Sequence, residues 1–144
     1  MPPVTLRISE AASLAMHAMV LLAARSGERL STARMAEVLG ASEAHLAKVM
    51  QQLGRARLVR SARGRGGGFV LARGPESISL LEVYRAVEGP LPAGGCLLAR
   101  RICSGRRCIL GGLVGRVNRQ VGEYLARTRL SDLVDVFGRR RRAT

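Results

Sequence analysis

The chain has 144 residues, room for one domain with an extended appendage, and 47% of them are apolar, with two Phe, two Tyr and no Trp, so any core is aliphatic. Twenty-four Lys and Arg against ten Asp and Glu give a net charge of +14, which calls for a polyanionic partner, most simply nucleic acid. The scarcity of aromatics argues against single-stranded RNA, the longest apolar run is broken by His17 well short of a roughly 18-residue membrane span, and three cysteines cannot all pair as a disulfide scaffold.

Residues 1–4, with two prolines, read as a loose end. Residues 9–24 predict a first helix, alanine-rich and apolar almost all round, the pattern of a buried helix. His17 is its one conspicuous interior polar group; one reading is a histidine at a helix or dimer seam satisfied by a backbone carbonyl. After a turn at residues 26–29, Met35, Val38 and Leu39 form one apolar helical stripe and Leu46, Val49, Met50 and Leu53 form another. Thr32 and Ser42 are the expected N-caps, and Gly40 suits the tight turn between the two helices. If the second stripe faces inward, Glu43, Ala44, His45, Ala47, Lys48 and Gln51 lie on outer faces able to enter a major groove.

Two strand-like runs, residues 58–59 and 69–71, flank the loop of residues 63–68, in which two arginines stand among glycines. Backbone without side chains can approach a phosphate or enter a minor groove, and Arg63 and Arg65 supply charge and donors. The order is helix, turn, helix, hairpin. Gly74 and Pro75 then break the strand, and Ser79 to Glu82 form a capping box opening a helix to about Glu88, ended by Gly89 and Pro90. Residues 91–107 are a loop. From Ile109 a long helical pattern carries Leu110, Leu113, Val114, Val117, Val121, Tyr124 and Leu125, a seam broad enough to need a partner. Residues 130–137 predict a short amphipathic turn capped by Ser131, and residues 139–142 are a basic tail.

Cys96, Cys103 and Cys108 have the spacing C-x6-C-x4-C. Zinc ribbons and fingers use C-x2-C pairs and spaced histidines, so zinc is disfavoured, whereas an iron–sulfur cluster is held by thiolates on wider loops. Arg100, Arg101, Arg106 and Arg107 stand around the cysteines and would lower thiolate pKa and offset a cluster's charge. The plain alternative is three reduced, inert thiols. Three thiolates leave either a 4Fe-4S or a 2Fe-2S cluster short of one ligand.

The run A-S-E-A-H-L-A-K-V followed by L-V-R-S-A-R-G-R-G-G-G-F-V-L-A-R resembles the winged helix-turn-helix of the IscR/NsrR/RirA family of bacterial transcription regulators, and the likeness covers nearly the whole chain. The resemblance implies a mainly α fold with a small β-hairpin wing and a long C-terminal dimerisation helix. It divides the chain into a DNA-binding domain at 1–88, a cluster-binding loop at 89–108, a dimerisation helix and terminal turn at 109–138, and the basic tail at 139–144. It implies that Ser42, His45, Lys48, Arg63, Arg65, Gly66 and Gly67 face double-stranded DNA, and that Cys96, Cys103 and Cys108 hold an iron–sulfur cluster. In the family the fourth ligand lies either soon after the third cysteine or on the first helix of the partner subunit. Residues 109–115 offer no His, Asp or Glu, so the resemblance implies His17 of the partner subunit as the first candidate, with Glu10 behind it. A bulky aromatic is common in the family where His45 stands and a proline where Arg65 stands. The function expected is a cytoplasmic homodimeric regulator, a repressor in the first instance, whose operator affinity follows iron–sulfur, iron, nitric oxide or redox status. The rivals are a cluster-free thiol-redox or metal-responsive repressor of the same fold and, more distantly, an RNA-binding protein. An enzyme is disfavoured: no nucleophile–base pair or P-loop is present, and no small-molecule substrate is expected.

Overall fold

The computed structural model describes residues 7–62, 67–98, 100–105 and 107–138. Five α-helices and one β-hairpin follow in the order α1 (Glu10–Ala24), α2 (Thr32–Leu39), α3 (Glu43–Arg55), β1 (Val59–Ala62), β2 (Gly68–Leu71), α4 (Leu80–Glu88) and α5 (Leu113–Arg127). This is the mainly α, winged helix-turn-helix architecture with a long C-terminal helix that the sequence predicts.

Helices α1 to α4 each start where a short polar side chain can satisfy the free N–H groups of the first turn, whereas α5 follows Gly112 with no side-chain cap. The hydroxyls of Ser9, Ser31 and Ser42 accept from the backbone N–H groups of Ala12, Arg34 and His45. The cap of α2 is therefore Ser31 and not Thr32, which already has helical backbone; two adjacent hydroxyl residues compete for one role, and one position decides it. At α4 the expected capping box forms, the Ser79 hydroxyl taking the Glu82 N–H while the Glu82 carboxylate takes the Ser79 N–H at 2.9 Å.

The turn from α2 to α3 rests on Gly40, at φ 63° and ψ 35°. Ala41 N–H donates to the Ala36 carbonyl at 2.9 Å and Gly40 N–H to Glu37 at 3.4 Å, a Schellman closure that needs a left-handed residue. α1 is the central helix: nine of its residues are buried, from Ala12 to Ala23, and it packs against α2, α3 and α4. Met19, Leu21, Met35, Leu46, Met50, Leu53, Ile78 and Leu130 are fully buried around it. His17, expected inside, sits on the exposed side of α1, because an almost wholly apolar helix surface gave the sequence no way to tell its one open stripe.

The hairpin is antiparallel, with Val59 opposite Leu71 and Ala62 opposite Gly68, and β1 extends three residues beyond the run that hydrophobicity marks. Leu30 adds a third edge by exchanging hydrogen bonds with Phe69 at 2.8 and 3.2 Å. Gly68 permits that approach, since a β-carbon there would lie 2.6 Å from the Leu30 carbonyl. A short 3-10 turn at Pro75–Ser77, not foreseen, leads to α4.

After α4 the chain crosses beneath α5, where the missing side chain of Gly122 lets Leu91 approach. α5 begins at Leu113 and not at Ile109; residues 109–112 are turns, because the two glycines at 111 and 112 make helix costly before the apolar seam begins. Its C-terminus is tied back to α4 by hydrogen bonds of 3.0 Å from Leu80 N–H to Thr128 and from Leu130 N–H to Ile78. The closing 3-10 turn is Leu130–Leu133; the residue that caps it is Arg129, whose N–H donates to the Asp132 carboxylate at 2.9 Å, and not Ser131.

Candidate functional site

Two groups of residues carry the chemistry. The first is the exposed start of α3. Leu46, Val49, Met50 and Leu53 anchor the helix inward, which leaves Ser42, Glu43, Ala44, Lys48 and Gln51 exposed along one outer face. The Ser42 oxygen accepts from His45 N–H at 3.3 Å, so its hydroxyl proton remains available as a donor. His45 is only half open: Nδ1 lies 4.0 Å from Glu10 Oε1 on the first turn of α1. Gly67 stands at the foot of β2. Arg63, Arg65 and Gly66, and likewise Arg106 and the basic tail at 139–142, lie outside the described residues.

The second group is the cysteine loop. Cys96, Cys103 and Cys108 are distant from the core, and all three line one cavity of about 350 Å³ together with Arg101 and Arg107. Cys96 is half-buried and its sulfur accepts the Leu98 N–H at 3.4 Å. Cys103 is fully open. The Gly105 backbone N–H and then the Arg101 guanidinium hold its thiol below the ordinary range, outweighing desolvation. Three thiols line this cavity beside the Arg101 and Arg107 side chains, three of the four ligands that a thiolate-held cluster needs. Among the described residues no three His, Cys, Asp or Glu side chains converge on the position of a single metal ion. An object several ångströms across makes a different demand from a single ion, one that three thiols around a cavity of this size meet in part.

His17 does not line that cavity. It borders an apolar hollow with Met16, Val20, Tyr124 and Val136, between α1 and the far end of α5. Its Nδ1 lies 2.6 Å from the Ser13 carbonyl, the bond that the plain structural reading expects. A carbonyl only accepts, so Nδ1 is the donor in this contact. The Glu10 carboxylate is exposed beside His45 and does not line the cysteine cavity either.

α5 presents a divided surface. Leu125 is buried against the domain and Val121 is partly covered, but Leu113, Val117 and Tyr124 are open, as are Val134 and Val136 beyond it. Arg127 stacks over the Tyr124 ring at 5.9 Å. Among the described residues no helix is long and apolar enough to cross a membrane.

The comparisons with known proteins agree with this architecture. The sequence matches the family described as Rrf2, iron-dependent transcriptional regulator, over residues 8–136. The HTH-type transcriptional regulator NsrR of Bacillus subtilis (strain 168) is 35% identical over 109 residues, 74% of this chain and 72% of its own length. An HTH-type regulator of Mycobacterium tuberculosis (strain CDC 1551) is 42% identical over 87 residues, 60% of this chain but only 54% of its own. The chain thus spans about half the length of that curated relative. Among solved structures, CymR, the global cysteine regulator of B. subtilis, superposes with a TM-score of 0.77 at 30% identity, over 92% of this chain and 98% of that one. With the family match spanning α1 to α5 and the hairpin between them, the chain belongs to the Rrf2 family of transcriptional regulators.

Proposed function

We propose that this regulator is a homodimeric DNA-binding repressor of the cytoplasm whose operator affinity is set by an iron–sulfur cluster held by Cys96, Cys103 and Cys108. The observation that carries the reading is that three cysteines spread over thirteen residues line one arginine-edged cavity. When bound, the cluster supplies a centre sensitive to oxidation, nitric oxide and iron supply. The chain's own residues do the rest. Arg101 and the Gly105 N–H favour the Cys103 thiolate, and Leu98 N–H orients Cys96. His17 of the partner subunit is the first candidate for the fourth ligand and Glu10 the second.

On the DNA side, Ser42, His45 and Lys48 read or position on the major groove, while Arg63, Arg65, Gly66 and Gly67 approach phosphates from the wing. One such helix covers few base pairs, so two copies spaced by about 34 Å of duplex are needed. The open Leu113, Val117 and Tyr124 face of α5 supports pairing. Functionally the chain divides into a reading head at 1–88, a sensing loop at 89–108, a pairing element at 109–138 and a basic tail at 139–144.

A second reading keeps the fold and replaces the cluster by thiol chemistry. It is favoured by the lowered, fully open Cys103 thiol and by the likeness to a cysteine regulator. Anaerobic purification with iron and acid-labile sulfide counts, followed by genome-wide mapping of bound DNA, separates the two. A brown protein with about one cluster per subunit is expected. A colourless protein that takes up no iron or sulfide with all three thiols free overturns the cluster and leaves the thiol reading.

A further inference from the structure

We propose that the chain carries a second binding site, unrelated to its cysteines, that receives a compact oxyanion of the phosphate type between Arg57, Arg73 and Arg85. These residues, with Glu82, Leu58 and Ala86, line an open cleft of about 480 Å³. Its walls come from the end of α3, the exit of β2 and the middle of α4.

The charge in the cleft is unbalanced. Three guanidiniums face one carboxylate, and that carboxylate is already engaged: Glu82 Oε1 takes Arg73 at 2.7 Å and Oε2 takes the Ser79 N–H at 2.9 Å. Among the described residues neither Arg57 nor Arg85 has a carboxylate within ion-pair distance. Guanidinium forks match the paired oxygens of phosphate, and converging cations are relieved by an anion that fits between them.

Arg57 adds an independent sign. It is the only non-glycine with positive φ among the described residues, at 60°. It closes α3 as Gly40 closes α2, with Leu58 N–H donating to Leu53 and Arg57 N–H to Gly54, both at 3.0 Å. At φ 63° the α2 closure uses the residue without strain; the α3 closure uses a large side chain that is strained there and that lines the cleft. Strain of this kind persists where a side chain is wanted for something other than the turn. Half-buried Ala86, with the almost wholly buried Leu58 behind the cleft floor, gives a small apolar contact beside the cations for the carbon part of a phosphate ester.

Calorimetric titration of the intact chain with inorganic phosphate and with glycerol 3-phosphate, at constant ionic strength set with chloride, tests the site. Saturable binding near one per chain is expected, with the tighter of the two probes identifying a free anion or an ester as the source. Arg57→Gly and Arg85→Gln should each weaken it about tenfold, the effect of losing one charge-assisted bond, while Arg119→Gln on α5 leaves it unchanged. Arg57→Gly removes strain as well as charge, so its melting temperature should not fall, and lost binding cannot then be blamed on unfolding. Heat that never saturates, or binding that survives both variants, overturns the site. So does a fall of about one in the salt slope of DNA binding per arginine removed without saturable phosphate binding, which would assign the cleft to the DNA backbone.

Discussion

Residues 10–88 and residues 89–112 are held in place by different means. In the first region every helix contributes to one core, and Met19, Met35, Met50 and Ile78 are wholly excluded from water. In the second no described residue is buried, and Leu97, Leu98, Ile102 and Ile109 are exposed, Ile109 at 98%. Its local ties are few: Gly111 N–H to the Cys108 carbonyl at 2.9 Å, Leu98 N–H to the Cys96 sulfur at 3.4 Å and Arg101 to the Gly105 carbonyl at 3.5 Å. A segment whose apolar burial is confined largely to Leu91, packed against the core at its start, has little to offset its conformational entropy. Such a segment is suited to be ordered by whatever it binds, which is how metal-holding loops couple ligand binding to structure.

Substitutions on the two sides should differ accordingly. Met50→Ala, in the closed core between α3 and α1, should cost about 3 kcal/mol in denaturant unfolding; a cost under about 1 kcal/mol would mean that the first region is not the rigid one. Val117→Lys tests what the open α5 face is for. It should convert a dimer to a monomer in sedimentation and weaken operator binding at least about tenfold, with the isolated fold unchanged. Persistence of the dimer would place the pairing surface elsewhere.

The capping box gives a pH signature confined to the first region. Burial alone would raise the Glu82 carboxyl, but the Arg73 guanidinium and the Ser79 N–H and hydroxyl outweigh it and hold it below the usual range. A depressed carboxyl contributes stability that is complete above its unfolded value, about 4.3, and is lost as pH falls through the lower folded value. Melting curves between pH 6 and pH 2, set against those of Glu82→Gln, should show a shallower acid limb for the variant. Ser79→Ala, which removes the other half of the box, should cost about 1 kcal/mol in urea unfolding at neutral pH. Arg57→Gly should act in the opposite direction and stabilise by several tenths of a kcal/mol to about 1 kcal/mol. The smallest effect belongs to the second region: Ile109→Ser should change unfolding free energy by less than about 0.5 kcal/mol.

Much of the first region is legible from local pattern. The stripe of Leu46, Val49, Met50 and Leu53 is buried as its spacing predicts, Ser42 caps the helix that it precedes, and Gly40 takes the left-handed turn. The misreadings are local competitions: Ser31 against Thr32 for one cap, Arg129 against Ser131 for another, and Leu113 against Ile109 for the start of α5. His17 and His45 were harder to place, since helical periodicity names a face without saying what lies opposite. The first proves open to solvent on α1 and the second leans toward Glu10 from 35 residues away in the chain.

What the amino-acid order determined by itself is therefore the helices, the caps of α3 and α4, the hairpin and the family resemblance, because hydrogen bonds and apolar repeats within a few residues decide those. Cys96, Cys103 and Cys108 share a cavity whose lining comes wholly from residues 95–111, a local meeting. Only tertiary packing gathered Arg57, Arg73 and Arg85 around a single cleft and left one flank of α5 uncovered. Those are meetings of distant segments. They depend on how the whole chain closes around α1, and no short window of sequence contains that information.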